Sequence, residues 1–209
     1  MPIHPIYQLI LAGESEVLDF KQTVNDPAKI AKALVAFANR KGGRLLIGVR
    51  DNKSIAGIRS EDEKYMLDLA ASFYCKPEVP LIIDEWELEG KTILEVTIPE
   101  GTEKPYAAKG EDGKYWVYIR VKDQSLLASK VVVEVLKKES RDEENLIEYG
   151  PKEKGLMELL AKNGRVTLNE FAKKMNISRR RASRILVSLI RAGVIRSHNT
   201  EKTEFYTLS

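Results

Sequence analysis

Residues 13 to 22 read GESEVLDFKQ and place Glu14, Asp19 and Lys21 within eight positions. Carboxylates bind hard divalent cations through oxygen, and an ammonium beside them can steady an attacking hydroxide or the charge on a phosphate. Such chemistry needs the groups on one side of the backbone. If EVLDFKQ is a strand, alternation puts Asp19 and Lys21 on one face and Leu18 and Phe20 on the other. One carboxylate is too few for a metal. Glu14, at the start of the strand, and Asp51, just past the apolar run RLLIGV, would converge on the same cation if the two strands are neighbours. The competing expectation is a solvated ion-pair face, the usual fate of an Asp-x-Lys pair.

A second chemistry is readable in KYWVYIRVK. Trp116, Tyr118, Arg120 and Lys122 alternate with Tyr115, Val117, Ile119 and Val121, so aromatic and basic groups share one sheet face. A face of that kind stacks bases and neutralises phosphates. The alternative is that Trp116 and Tyr118 pack beneath a helix, as large aromatics do in most sheet cores.

A third follows from charge. Residues 151 to 209 hold 13 Lys and Arg against 5 Asp and Glu, a net of +8, while the preceding residues hold 21 basic and 26 acidic groups, a net of −5. The overall +3 conceals this asymmetry, which points to a polyanion-binding module attached to a different domain. The charge-dense KKESRDEENLIEYGPKEKG between them has linker or exposed-helix composition.

The elements that must hold these residues are partly legible. Asp26-Pro27 is an N-cap and first-turn pair, and Ile30, Leu34, Phe37 and Ala38 form a helical stripe ending at Gly42-Gly43. RLLIGV follows as a buried strand, EDEKYMLDLAASFYC reads as a helix, and VPLIIDEWELEGKTILEVTIP reads as two strands joined at Glu89-Gly90. KYWVYIRV is a strand after the Asp112-Gly113 turn. The order predicts an α/β (α+β) domain with a mixed sheet. Gly42 and Gly43 follow a helix and precede a strand, the reverse of a phosphate-cradling loop, so no nucleotide site is expected there.

In the basic segment, KGLMELLAKN predicts a helix stopping at Asn163-Gly164. Thr167 and Glu170 form a capping box, and Ser178 caps a longer helix ending at Gly193. On that last helix Ala182, Ile185, Leu186, Leu189 and Ile190 share a face, while Arg179, Arg180, Arg181 and Arg184 lie towards its start and outer side.

With 43% hydrophobic and 31% charged residues the chain is expected to be globular, and no apolar run approaches the roughly 18 residues of a membrane span. MPIHPIYQLIL lacks a basic n-region and a small-residue cleavage site, so the expected compartment is the cytoplasm. The single Cys75 has no CxxC neighbour and is expected to be buried as a small apolar group. His198 is expected at the surface.

The unit LNEFAKKMNISRRRASRILVSLIRAGVI, with VIRSHNTEKTEFYTLS as its hairpin, resembles the winged helix-turn-helix family. The resemblance implies that the second helix enters the major groove and that Ser178, Arg179, Arg180, Arg181 and Arg184 do the reading. GESEVLDFKQT, AFANRKGGRLLIGVRDNKSIAGI and KPYAAKGEDGKYWVYIRV together resemble the Schlafen AlbA-like domain, once described as a divergent AAA ATP-binding group. That family includes endoribonucleases with an acidic triad, which falls by position on Glu14, Asp19 and Asp51 with Lys21 beside it; its bacterial and archaeal members are mostly called DNA-binding regulators. Two departures stand out: Asp19 where the family has Glu, and Arg50 where it usually has an acidic residue.

The expected organisation is an AlbA-like domain over 1–140, a charged linker over 141–150 and a small winged-helix domain over 151–209. The leading expectation for function is a DNA-binding transcriptional regulator, a homodimer on duplex DNA. The rival is an endoribonuclease using Mg²⁺ or Mn²⁺ on an RNA substrate, with Glu14, Asp19 and Asp51 as metal ligands and Lys21 assisting. No membrane partner is expected.

Overall fold

The computed structural model describes residues 4–58, 61–141 and 149–209, in two compact units, Met1–Leu127 and Ala128–Ser209. Among the described residues no helix is long and apolar enough to cross a membrane.

The first unit is built on two four-stranded sheets. In the first sheet the order is β1 (Leu18–Lys21), β2 (Gly43–Ile47), β5 (Lys91–Ile98), β4 (Ile82–Leu88). β1 runs parallel to β2, and the other pairs are antiparallel, so the sheet is mixed as expected. The second sheet, β3 (Cys75–Lys76), β6 (Ala107–Lys109), β7 (Tyr115–Val121), β8 (Gln124–Leu127), is antiparallel. The hairpin joining β4 to β5 turns at Glu89 and Gly90, both with positive φ (55° and 69°), which is the twist a two-residue loop requires.

Between the sheets lies α2 (Pro27–Ala38). The Asp26 side chain accepts from the backbone N–H of Ala28 and Lys29, and Pro27 opens the first turn, where no N–H is needed. A single apolar stripe was the expectation for this helix, yet Ala31, Ala33, Val35 and Ala36 are buried as well. The reason is a second cover. Leu45, Ile47, Leu94 and Val96 of the first sheet and Cys75 and Ala108 of the second belong to the same core as α2, together with Leu67 and Ala70 of α3 (Asp62–Ser72). A helix enclosed on two sides must be apolar nearly all round. Cys75 is buried as expected, and burial pushes its thiol pKa up to about 12, which makes it unreactive. The opposite face of the first sheet carries Leu18, Phe20 and Leu46 against Ile6 and Ile10 of α1 (Pro5–Ala12), a helix the sequence reading did not identify.

Asn39, directly after α2, is fully buried and fully satisfied. Its Nδ2 donates to the carbonyls of Tyr106 and Tyr118 at 2.8 Å each, and its Oδ1 accepts from Tyr106 N at 2.7 Å. One side chain therefore ties the end of α2 to the second sheet. The chain then reverses at Gly42 (φ 74°), where a Cβ would stand 2.5 Å from the Ile98 carbonyl oxygen. Only glycine fits that approach.

The second unit contains α4 (Lys130–Ser140), α5 (Pro151–Asn163), α6 (Leu168–Lys174), α7 (Arg179–Arg191) and the hairpin β9 (Ile195–Asn199), β10 (Glu204–Leu208). The expected boundary at residue 140 falls within this unit. Val131 and Val135 of α4 fill the same core as Leu156, Phe171, Leu186 and Tyr206, and α4 packs on α7. Of the expected linker, residues 142–148 lie outside the described residues.

Candidate functional site

Alternation along β1 places Asp19 and Lys21 on the α2 side of the first sheet, opposite Leu45 and Ile47 of β2. Lys21 Nζ lies 2.8 Å from Asp19 Oδ2. The other carboxylate oxygen meets a partner that spacing alone did not suggest. Arg120 Nη2 is 3.1 Å from Asp19 Oδ1, with both side chains buried. The same guanidinium donates to the carbonyls of Ser15 and Leu18, and it lies over the Phe37 ring with its central carbon 5.0 Å from the centroid. Arg120 is therefore a clamp that joins β7 of one sheet to β1 of the other.

Glu14 reaches the same cluster, accepting from Phe20 N at 3.0 Å. Its pKa is raised, by partial burial first and then by a hydrogen bond to Asp19. For Asp19 burial is the largest influence and works upward, but the Lys21 charge, the hydrogen bonds from Lys21 and Glu14 and the Arg120 charge together hold the carboxyl below the usual aspartate range. The two carboxyl groups thus move in opposite directions, because a hydrogen bond between them needs a proton on one, and the cationic partners of Asp19 favour its charged form.

Asp51 does not complete a triad: it stands exposed in the turn after β2, and among the described residues no group of three or more His, Cys, Asp or Glu is arranged to hold a metal ion. The remaining donors do not fit Mg²⁺ or Mn²⁺ either. A hard cation takes about six oxygen ligands, whereas both Asp19 oxygens already face cationic groups and a Glu14 oxygen is taken by a backbone N–H.

The opposite pKa directions have a testable consequence. A raised acid such as Glu14 contributes stability below its ordinary pKa and loses it as pH rises through the folded value; the lowered Asp19 contributes above its ordinary pKa and loses that as pH falls through the folded value. Glu14→Gln keeps the acceptor for Phe20 N and removes the ionised carboxylate. We expect it to raise the urea midpoint at pH 7 and to leave it nearly unchanged near pH 4. Equal shifts at both pH values would contradict this account of the cluster.

The expected aromatic and basic face of β7 is not assembled. Arg120 is inside, held by Asp19; Tyr118 packs into the α2 core, with its pKa raised by burial; Lys122 has left the strand for the β7–β8 turn at φ 55°. Trp116 stays partly exposed and donates from Nε1 to Asp112 Oδ1 at 3.2 Å. The physical reason is that this face looks onto α2.

In the second unit, Ser178 caps α7 by accepting from Arg181 N at 3.2 Å. Ala182, Ile185, Leu186 and Leu189 are buried, leaving Arg179, Arg180, Arg181 and Arg184 exposed, with no ion pair to any of the four among the described residues. Three of these cations occupy the first turn, where the helix dipole disfavours positive charge and no acidic residue offsets it. α6 begins at the Thr167–Glu170 capping box, as its spacing predicts, and Asn176 (φ 50°) makes the turn into α7. In the hairpin His198 is half-buried and stacked on Phe205, centroids 4.9 Å apart, while Arg196 and Lys202 are exposed. These two residues, missed in the sequence reading, add basic groups to the hairpin.

Comparison with known proteins agrees with this division. The family model described as "Schlafen, AlbA_2" matches residues 14–129, and one described as "Winged helix-turn-helix DNA-binding" matches residues 151–196. No curated protein matches the chain. Among solved structures, the DIP2311 protein from Corynebacterium diphtheriae aligns at 15% identity and TM-score 0.46, over 64% of this chain and 27% of its own. The N-terminal domain of a RecG-related protein from Nitrosomonas europaea aligns at 23% identity and TM-score 0.42, over 52% of this chain and 83% of that one. The chain thus spans about a quarter of the Corynebacterium protein, and both scores are too low to carry a conclusion. The family matches are another matter: with the AlbA_2 match spanning more than half of its residues, the chain belongs to the Schlafen AlbA_2 family and carries a winged helix-turn-helix DNA-binding domain behind it.

Proposed function

We propose that this protein is a DNA-binding transcriptional regulator that docks the N-terminal half of α7 in the major groove of duplex DNA. The observation that carries the reading is the set of exposed arginines at a helix start, without an ion pair among the described residues, where their charge opposes the helix dipole. A phosphate there would receive the guanidinium groups and the free N–H groups of the first turn together. One such helix reads a half-site, so a homodimer on a two-fold operator fits the reading.

The test separates binding from folding. Arg179→Glu/Arg181→Glu places acidic groups where the dipole favours them, and Glu at 181 completes a capping box with Ser178. Thermal stability is expected to hold or rise slightly. Duplex affinity, read by fluorescence anisotropy at several salt concentrations, is expected to fall by at least about tenfold, with a shallower salt dependence. Affinity that survives the exchange would overturn the proposal. A parallel incubation with transfer RNA and Mn²⁺ is expected to leave the RNA intact; cleavage lost in EDTA and in Glu14→Gln would replace the regulator reading with the nuclease one.

A further inference from the structure

The aromatic and basic groups that the sequence placed on one face of β7 are found, in a different set, on the other. Register pairs Lys109 with Tyr115 and Ala107 with both Val117 and Lys76, so Lys76, Lys109, Tyr115 and Val117 share the face turned away from α2. Phe73, at the C-terminal end of α3, joins them. Phe73 is 54% exposed and Tyr115 42% exposed. Lys109 Nζ lies 4.3 Å from the Phe73 ring centroid, and Lys76 Nζ lies 5.8 Å from that of Tyr115. Large rings left in water are costly, and here each carries an ammonium on a flexible stem, with Tyr74 edge-on to Phe73 at 5.2 Å between centroids.

We propose that this face binds single-stranded nucleic acid, with bases stacking on Phe73 and Tyr115 and with Lys76 and Lys109 moving from the rings to the phosphates. The chemistry recommends this occupant over an apolar peptide. Each ring has its own cation within reach, which is the alternation of π-face and charge along a single strand. A duplex cannot use the rings, because its bases are already stacked. The platform's positions are also held firmly: Lys109 N donates to the Tyr74 carbonyl at 2.8 Å, fixing the end of α3 to β6, and Tyr115 is carried by the paired part of β7. The inference is independent of the winged helix, since every residue in it belongs to the first unit.

The experiment uses the full chain and a fluorescein-labelled 20-mer of oligo(dT), which has no duplex form. Binding is read by anisotropy, in the wild type and in an Arg179→Glu/Arg181→Glu background that suppresses the second unit's charge. Phe73→Ala/Tyr115→Ala is expected to weaken oligo(dT) binding about thirtyfold or more in both, from two lost stacks, while duplex affinity stays as in the parent. Phe73→Tyr/Tyr115→Phe, which keeps both rings, is expected to retain the affinity. Circular dichroism melts should be unchanged, because the replaced side chains are exposed. The proposal is overturned if wild type does not bind oligo(dT) saturably, if the alanine pair binds it as well as the parent, or if single-strand and duplex affinity fall together. It is equally overturned if sedimentation shows concentration-dependent self-association that the alanine pair abolishes without any change in oligo(dT) binding, which would make the face a contact between copies of this chain. Loss of duplex affinity alone in the Arg179→Glu/Arg181→Glu chain bears on the regulator reading and leaves this one standing.

Discussion

Replacing Arg120 with methionine is expected to destabilise the first unit by roughly 3–5 kcal/mol, the usual cost of removing one partner from a buried ion pair. Methionine approximates the stem of arginine and fills much of its space, so the loss isolates the charge. Asp19 would remain buried with the half-exposed Lys21 as its remaining cationic partner, and the carbonyls of Ser15 and Leu18 would lose the donor that Arg120 supplies. Both tryptophans, Trp86 and Trp116, lie in the first unit, so their emission during urea unfolding reports on that unit alone. Adding Asp19→Leu to Arg120→Met should recover most of the loss, because an apolar pair of similar volume carries no orphaned charge. A shift below about 1 kcal/mol for Arg120→Met would mean that the guanidinium is not the clamp described.

Asn39→Ala is the second large effect. It strips partners from the Tyr106 N–H, the Tyr106 carbonyl and the Tyr118 carbonyl in one step. An unsatisfied buried polar group costs about 1–3 kcal/mol, and water entering the vacated space recovers part of it, so the expected total is roughly 3–4 kcal/mol. Asn39→Asp should be no milder, because the aspartate offers no N–H to the two carbonyls and buries a charge. If the aspartate variant unfolds at the wild-type urea concentration, the three hydrogen bonds are not what holds α2 to the second sheet.

These two residues also mark where sequence reading ran out. The Asp26 cap, the Thr167–Glu170 box and the Glu89-Gly90 turn are local, with cause and consequence within four residues, and each appears where its spacing put it. Arg120 and Asn39 act on partners about a hundred and about seventy residues away, and nothing in KYWVYIRV or AFANRKGG names them. Alternation gave the contents of each face of β7 as far as Val121, but not the turn that takes Lys122 off the strand, and it could not say which face meets α2; the set with Trp116, Tyr118 and Arg120 turned out to be the inner one. The second compact unit begins at Ala128, ahead of the expected boundary, for a similar reason. Val131, Val132, Val135 and Leu136 have helical spacing, but they run straight into charge-dense residues of linker composition, and only the packing of α4 on α7 shows which core Val131 and Val135 complete. In the candidate metal site the pairing of Asp19 with Lys21 was legible, whereas the long-range arginine that takes the other oxygen was not.

The enclosure of α2 between two sheets governs how the first unit opens. No layer can lift off without baring a helix that is apolar on nearly every side, and Arg120 and Asn39 fasten the layers at two further points. Partial openings that expose α2 would carry almost the free energy of complete unfolding. Native-state hydrogen exchange should find the amides of Leu34 to Phe37 and those of β2 and β7 exchanging together, as one cooperative block, with α1 and the β4 edge far ahead of them.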